Sequence, residues 1–218
     1  ADALAAGLLP RYRDEEFGLA RLTLLLPSSR AARTMSEAFI RLAGKEGIPG
    51  LLLPRMAVVG DLDLDETLGP LLDPMGTDAA IPPAADQTRR MFRLAGMIRE
   101  ERGKQAPKGA ALLRLARQAG ETIDRLLVEE VDIADLLDEK VAGLANEIAE
   151  HWRESIHLFA RLHVRWRAEL DRAGELDAAE RRNRLFDHAA RRWKEDPPQT
   201  PIIAAGVTSA APALARLL

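Results

Sequence analysis

The hydrophobic periodicity of this chain changes twice along its length, and this limits the folds available to it. Apolar runs of strand length occur near the two ends, as LTLLLP at 22–27, LLLP and MAVVG within 51–60, and IIAAG at 202–206. About 120 residues between these ends instead carry apolar residues at intervals of three or four, the spacing of an amphipathic helix. The pattern predicts an α/β domain that is interrupted by a helical insertion.

The first apolar run is predicted to begin a strand–helix–strand unit. A continuous run such as LTLLLP is typical of a parallel strand that is covered on both faces. Pro27 ends this run, and Ser28 or Ser29 can cap a helix over about 30–43. Further strands are predicted within 51–60, after the GIPG turn, so the first part of the chain is a βαβ unit.

The insertion is predicted to contain four helices, preceded by a loose acidic linker that ends near residue 85. The longest apolar stripe runs from Leu144 to Leu170. After it and one more helix, the chain returns to a strand at IIAAG, and a new helix starts at Pro212. We therefore predict three segments, with 1–85 as the first part of the α/β domain, 86–195 as the helical insertion and 196–218 as the return to the α/β domain.

Composition excludes several classes of protein. The 218 residues include no cysteine, so the chain has no disulfide, no thiolate metal site and no cysteine nucleophile. No apolar run approaches the roughly 18 residues that span a bilayer. The N-terminal sequence carries Asp2 where a signal peptide has a positive region. We therefore expect a cytoplasmic protein without membrane contact.

The small net charge of −3 conceals an uneven distribution of charge. Residues 86–125 carry ten basic and five acidic side chains, residues 126–150 carry one basic and eight acidic, and residues 151–195 carry eleven basic and eight acidic. Two basic helical segments therefore flank an acidic one. Solvated helix faces with local charge pairing would produce this pattern, and so would a surface for an anionic partner.

The sequence contains no recognisable catalytic motif. A phosphate-binding loop requires GxxxxGK[ST] between a strand and a helix, and the nearest candidate, Gly44-Lys45, is predicted to close a helix. The four acidic residues between 61 and 66 lack the glycine and glutamate spacing of a calcium-binding loop. The first three histidines are six residues apart and point in different directions on a helix. We predict no catalytic residue, cofactor or metal site in this chain.

The polar turn after the first strand is the main candidate site. Ser28, Ser29, Arg30 and Arg33 gather at the carboxyl end of that strand, where open α/β sheets bind ligands. Hydroxyl groups, free helix N–H groups and arginines together suit a nucleic-acid phosphate. A plain capped helix with two surface arginines is the alternative. Thr208 marks a second turn of this kind, after the last strand.

Five blocks of the chain carry a resemblance to a known family. They occur in the order LLLPSSRAAR, LLLPRMAVVGDLD, HWRESIHLF, DAAERRNRLFDHAARRW and PPQTPIIAAGVTSAAPA. Over nearly the whole chain, these blocks resemble the N-terminal region of the AddB family in its alphaproteobacterial form. AddB proteins are the nuclease-bearing subunits of AddAB-type helicase–nucleases, which process double-strand DNA breaks. The AERRNRL and IIAAG blocks are the most specific parts of the resemblance.

The resemblance implies a RecA-like fold of helicase superfamily 1 that has lost its ATP site and carries a helical insertion of the 1B kind. The turn LLLPSSRAA would correspond to motif Ia, which grips single-stranded DNA in related helicases, so the four residues of the first turn inherit that role by position. The sequence VTSA replaces the family's S-T-G-S, which leaves Thr208 as the candidate in the second turn. For the parent complex, the resemblance implies ATP, Mg²⁺, an iron–sulfur cluster, an AddA-like helicase subunit as partner, and a nuclease domain downstream of this chain.

We therefore expect a non-catalytic, helicase-like module that binds single-stranded DNA and docks against a motor subunit in a break-repair complex. A protein-interaction scaffold without DNA contact is the alternative. A third hypothesis, a nucleotide-dependent enzyme, requires a phosphate loop from a segment that precedes Ala1. We expect this chain to be part of a longer subunit.

Overall fold

The computed structural model describes residues 1–13, 17–60, 72, 81–136, 149–208 and 210–218. The chain forms two compact units. The sheet unit comprises Ala1–Ala79 and Arg184–Leu218, and the helical unit comprises Ala80–Asn183. The helical unit thus begins and ends several residues before the insertion boundaries that the sequence predicts.

A three-stranded parallel sheet organises the sheet unit. Its strands are β1 (Thr23–Leu26), β2 (Arg55–Val58) and β3 (Ile202–Ala204), in the order β2-β1-β3. In β1, Thr23 is in register with the first residue of each neighbouring strand. All four residues of β1 are buried. The central position explains the continuous apolar run, because both faces of the strand are covered.

Helices make up most of the remaining described structure. Two short 3₁₀ helices, Gly18–Arg21 and Gly103–Gln105, lie between them. The α-helices are α1 (Asp2–Leu8), α2 (Ser29–Lys45), α3 (Gln87–Arg102), α4 (Ala110–Val128), α5 (Ile133–Leu136), α6 (Ala149–Ala173), α7 (Ala178–Glu195) and α8 (Pro212–Leu217).

The sheet unit has its own hydrophobic core. Leu8 of α1, Leu24 of β1, and Met35 and Phe39 of α2 are buried in it. The buried residues of α2 recur every three or four positions, so one face of this helix covers the sheet while the other is solvated. This packing fixes the start of α2 at the carboxyl end of β1.

The helical unit has a second core, formed by α3, α4 and α6. Leu94, Ile98, Ile123, Leu162 and Trp166 are buried in it. The predicted apolar stripe of α6 therefore faces a core over its described part. The earliest residues of that stripe, before α6 begins, lie outside the described residues.

The structure confirms a mixed α/β fold with a parallel sheet and corrects one strand prediction. Residues 51–54 form no strand, and β2 begins at Arg55, directly after Pro54. Proline has no N–H to donate to a sheet, so the strand begins after it. Of the predicted acidic linker, only Leu72 and 81–85 belong to the described residues. No helix in the described part of the chain combines the length and apolarity needed to cross a membrane.

Candidate nucleic-acid interface

The predicted site lies at the carboxyl edge of the sheet, where Ser28 caps α2. The backbone of Ser28 is extended, and its Oγ accepts a hydrogen bond from the Ala31 N–H at 3.2 Å. Serine stabilises a helix start in this way because it satisfies an N–H group that has no partner within the helix. Ser29 is the first residue of the helix and is exposed. The cap fixes the start of α2 and therefore the direction in which the side chains at that start project.

Close backbone packing brings the turns after β2 and β3 beside the turn after β1. A Cβ atom at Gly60, which follows β2, would lie 2.2 Å from the carbonyl oxygen of Pro27, so only glycine fits there. Gly206, which follows β3, has a φ of 74°, and a Cβ atom built on it would lie 3.9 Å from the Pro27 ring. Thr208 is exposed two residues beyond Gly206. The two predicted polar turns are therefore neighbours at one edge of the sheet.

The two arginines of the first turn are solvent-exposed cations. Arg30 and Arg33 lie three residues apart on α2, a spacing that makes their side chains neighbours on the helix surface. Neither side chain forms an ion pair or hydrogen bond with any residue that the structure describes. The nearest acidic residue along α2 is Glu37, one turn after Arg33. The beginning of α2 thus presents positive charge to solvent.

The arrangement at this sheet edge is suited to an anion. The positive end of a helix dipole, two arginines and the hydroxyl of Thr208 can all contact phosphate oxygens. Gly44 and Lys45 lie in the last turn of α2, at the opposite end of the helix from the sheet edge. This pair therefore does not open a helix as the glycine and lysine of a phosphate loop do.

A cavity of about 190 Å³ lies at the opposite, amino-terminal edge of the sheet. Thr23 and Ile202, the first residues of β1 and β3, line it together with Arg55, Trp193 and Thr200. Ligands of open α/β sheets bind outside the carboxyl ends of the strands. The cavity therefore does not coincide with the predicted site.

The helical unit contains a buried charge network that sequence analysis did not predict. Arg90 of α3 is only 2% exposed, and its Nη1 donates to Asp124 of α4 at 2.7 Å. Its Nη2 donates to the Gly120 carbonyl at 3.1 Å, and its Nε lies 3.1 Å from an oxygen of Asp177. The indole of Trp166 donates to the same Asp177 oxygen at 2.9 Å. Burial raises the pKa of Asp124, and the charge of Arg90 opposes that rise.

One feature of the sequence could have indicated this network. Arg90, Leu94 and Met97 lie on one face of α3, at intervals of four and three, and all three are buried. A charge in an apolar stripe requires a buried partner, because an unpaired charge is costly to remove from water. The partner itself could not be identified from the sequence. Arg90 and Asp177 are both buried and bind each other, so we assign the network a structural role.

Ion pairs between α3 and α6 account for much of the predicted charge pattern. Bound arginines lower the pKa values of both carboxyls named here, that of Glu101 chiefly through Arg161 and that of Glu169 chiefly through Arg93. Carboxylates of the same unit therefore neutralise several cations of the two basic segments. The pairs that join α3 to α6 are Arg93–Glu169, Glu100–Arg165, Glu101–Arg161 and Glu101–Arg165.

The histidines and the acidic residues give no indication of a metal centre in the part of the chain that the structure describes. No group of three or more potential ligands comes together there. His163, on α6, is half-buried, and burial lowers its pKa. The acidic residues between 61 and 66 lie outside the described residues, as does Ser209.

Comparison of the chain with protein-family models, with curated proteins and with solved structures finds no match.

Proposed function

We propose that this chain is a RecA-like module without an ATP site, part of an AddAB-type break-repair complex, and that it holds single-stranded DNA at the carboxyl edge of its sheet. Two features support the proposal. The five sequence blocks occur in the order found in the AddB family. The parallel sheet is also interrupted in sequence by a helical unit, as a 1B insertion would be.

The exposed start of α2 is the observation that carries the proposal. Arg30 and Arg33 project from the first turn of a helix whose cap, Ser28, fixes the turn in place. Their charges are available because no described carboxylate binds them. Contacts of this kind bind the nucleic-acid backbone and carry no base specificity. The module would then bind a DNA strand without reading its sequence, while an AddA-like motor supplies ATP hydrolysis in the cytoplasm.

Binding of fluorescein-labelled oligothymidine, measured by fluorescence anisotropy over a range of salt concentrations, tests this function. We expect Arg30→Ala with Arg33→Ala to weaken binding of all sequences equally. The two lost phosphate contacts would reduce the slope of log K against log salt by about 1.4. The matched control is Arg191→Ala with Lys194→Ala, two exposed cations that are also three residues apart on a helix. Equal binding by both variants would contradict the proposal.

The Ser28→Asp substitution distinguishes the helix-capping role of residue 28 from a phosphate contact at the start of α2. Aspartate is as good a helix cap as serine, so the thermal stability of the variant should match that of the unaltered chain. The new negative charge would repel a phosphate at the start of α2. We expect weaker DNA binding at unchanged stability, whereas a loss of both would indicate damage to the fold.

A protein-interaction scaffold is the second candidate function. It is favoured by an apolar groove of about 310 Å³ in the helical unit, lined by residues that include the half-buried Leu115, Ile156 and Phe159. A partner subunit could bury these side chains. Under this hypothesis, Phe159→Asp prevents association with the motor subunit, and the Arg30 and Arg33 substitutions leave both association and DNA binding unchanged.

A further inference from the structure

One end of the α3–α4 hairpin concentrates positive charge. The last turn of α3, the 3₁₀ turn and loop after it, and the first two turns of α4 supply six cations, all of them exposed. We call this group the hairpin tip, and its members are Arg99, Arg102, Lys104, Lys108, Arg114 and Arg117.

The charges of the hairpin tip are not neutralised within the described part of the chain. None of the six side chains forms an ion pair or hydrogen bond with a described residue. Glu100 and Glu101, at the end of α3, are bound by Arg165 and Arg161 of α6, and Glu121 lies one helical turn after Arg117 without an ion pair to it. No acidic residue occurs from Arg102 to residue 120. The other described cations of α3, by contrast, form ion pairs with carboxylates.

An exposed aromatic ring lies on the same face of α3 as one of these cations. Phe92 of α3 is 57% exposed. It precedes Arg99 by seven residues, which is two helical turns, so both side chains lie on the same face, roughly 10 Å apart along the axis. Proteins that hold single strands combine cations for the phosphates with an aromatic ring on which a base stacks. Phe92 and Arg99 provide this pair.

We infer that the hairpin tip, together with Phe92, is a second surface for single-stranded nucleic acid, which depends on none of the residues at the sheet edge. A single strand is favoured over a duplex because only unpaired bases can stack on Phe92. An anionic membrane is a poorer partner, because the exposed uncharged residues between the cations are small or polar, such as Gly103, Gln105 and Ala111. Phe92 is then a single apolar side chain on this surface, whereas a helix that lies on a bilayer buries a whole apolar face.

A pair of charge reversals with a matched control tests the inference. The test variant carries both Arg114→Glu and Arg117→Glu, and the control variant carries both Arg191→Glu and Lys194→Glu. In each variant the two changed residues are exposed and lie three residues apart on a helix. We expect the first pair to lower affinity for a 20-nucleotide oligothymidine at least about tenfold at low salt. It should also reduce the salt slope by about 1.4, as two phosphate contacts imply. The control should bind within about twofold of the unaltered chain.

Phe92→Ala tests the aromatic contribution separately. Loss of one stacked base corresponds to about a fivefold or greater loss of affinity. The salt slope should stay the same, because no phosphate contact is removed. A duplex of the same length should be insensitive to the Phe92 substitution.

Three results would overturn the inference. The first is equal affinity of the Arg114/Arg117 variant and its control for oligothymidine. The second is an unaltered chain that does not bind the oligonucleotide. The third is loss of binding to phosphatidylserine vesicles without loss of oligonucleotide binding. The Arg30/Arg33 variant is measured in parallel, so a failure at the sheet edge is distinguished from a failure at the hairpin tip.

Discussion

Replacement of Arg90 by methionine removes the centre of the buried network in the helical unit. Methionine keeps most of the length of the side chain and fills space in an apolar core. It leaves the buried Asp177 and the half-buried Asp124 without the arginine that binds both of them. The Trp166 indole can still donate to Asp177, but a neutral donor does not replace the lost charge.

The expected loss of unfolding free energy follows from how deeply the three side chains are buried. Arg90 and Asp177 side chains are 3% and 4% exposed, and Asp124 is 15% exposed. Removal of one partner from a buried pair costs about 3–5 kcal/mol of unfolding free energy. The matched control is Arg93→Met on the same helix, where Arg93 is 57% exposed and binds Glu169. An exposed pair contributes about 0–1 kcal/mol, so the two variants should differ by several kcal/mol.

Urea denaturation at pH 7, followed by circular dichroism and by tryptophan fluorescence, measures both variants. The fluorescence signal includes Trp166, which belongs to the network. We expect a clear shift of the urea midpoint for Arg90→Met and almost none for Arg93→Met. The double variant Arg90→Met with Asp124→Leu should recover part of the loss, because it removes one of the stranded charges. Equal midpoints for the two single variants would refute the structural role of the network.

Two further predictions concern the sheet edge and the surface ion pairs. Gly60→Ala should lower the unfolding free energy by about 1–3 kcal/mol, because the new Cβ would collide with the Pro27 carbonyl. The control is Gly44→Ala, in open space within α2, which should be neutral or stabilising. Equal urea midpoints for the two variants would contradict this prediction. Arg161 lowers the pKa of Glu101, so the stability from this pair is present above about pH 4.3 and is lost as the pH falls through the lowered pKa. The unaltered chain should therefore lose more stability between pH 7 and pH 3 than Glu101→Gln does, and equal losses would show that the pair contributes nothing.

Local signals in the sequence predicted much of the sheet unit. The buried run of β1, the proline that ends it and the serine cap of α2 involve adjacent residues, so the sequence and short-range geometry suffice to predict them. The same holds for Arg30 and Arg33, whose exposure follows from their place in the first turn of an amphipathic helix. The start of β2 at Arg55 was missed, although Pro54 marks it locally, because a proline has no N–H to donate to a sheet. Which strand β2 pairs with is a tertiary property, and that partner is β1.

Contacts between distant residues decided the rest. Thr208 becomes a neighbour of the first turn only because β3 pairs with β1, about 180 residues away in the chain. The binding of Arg90 to Asp124 and Asp177 likewise depends on how the helices pack, and a small change in that packing would select other partners. The unneutralised charge of the hairpin tip is visible only once the pairs between α3 and α6 are known. By itself, the sequence determined where helices and strands form, since their periodicity is local. Only the tertiary structure decided which charges are paired, because pairing depends on distances in space.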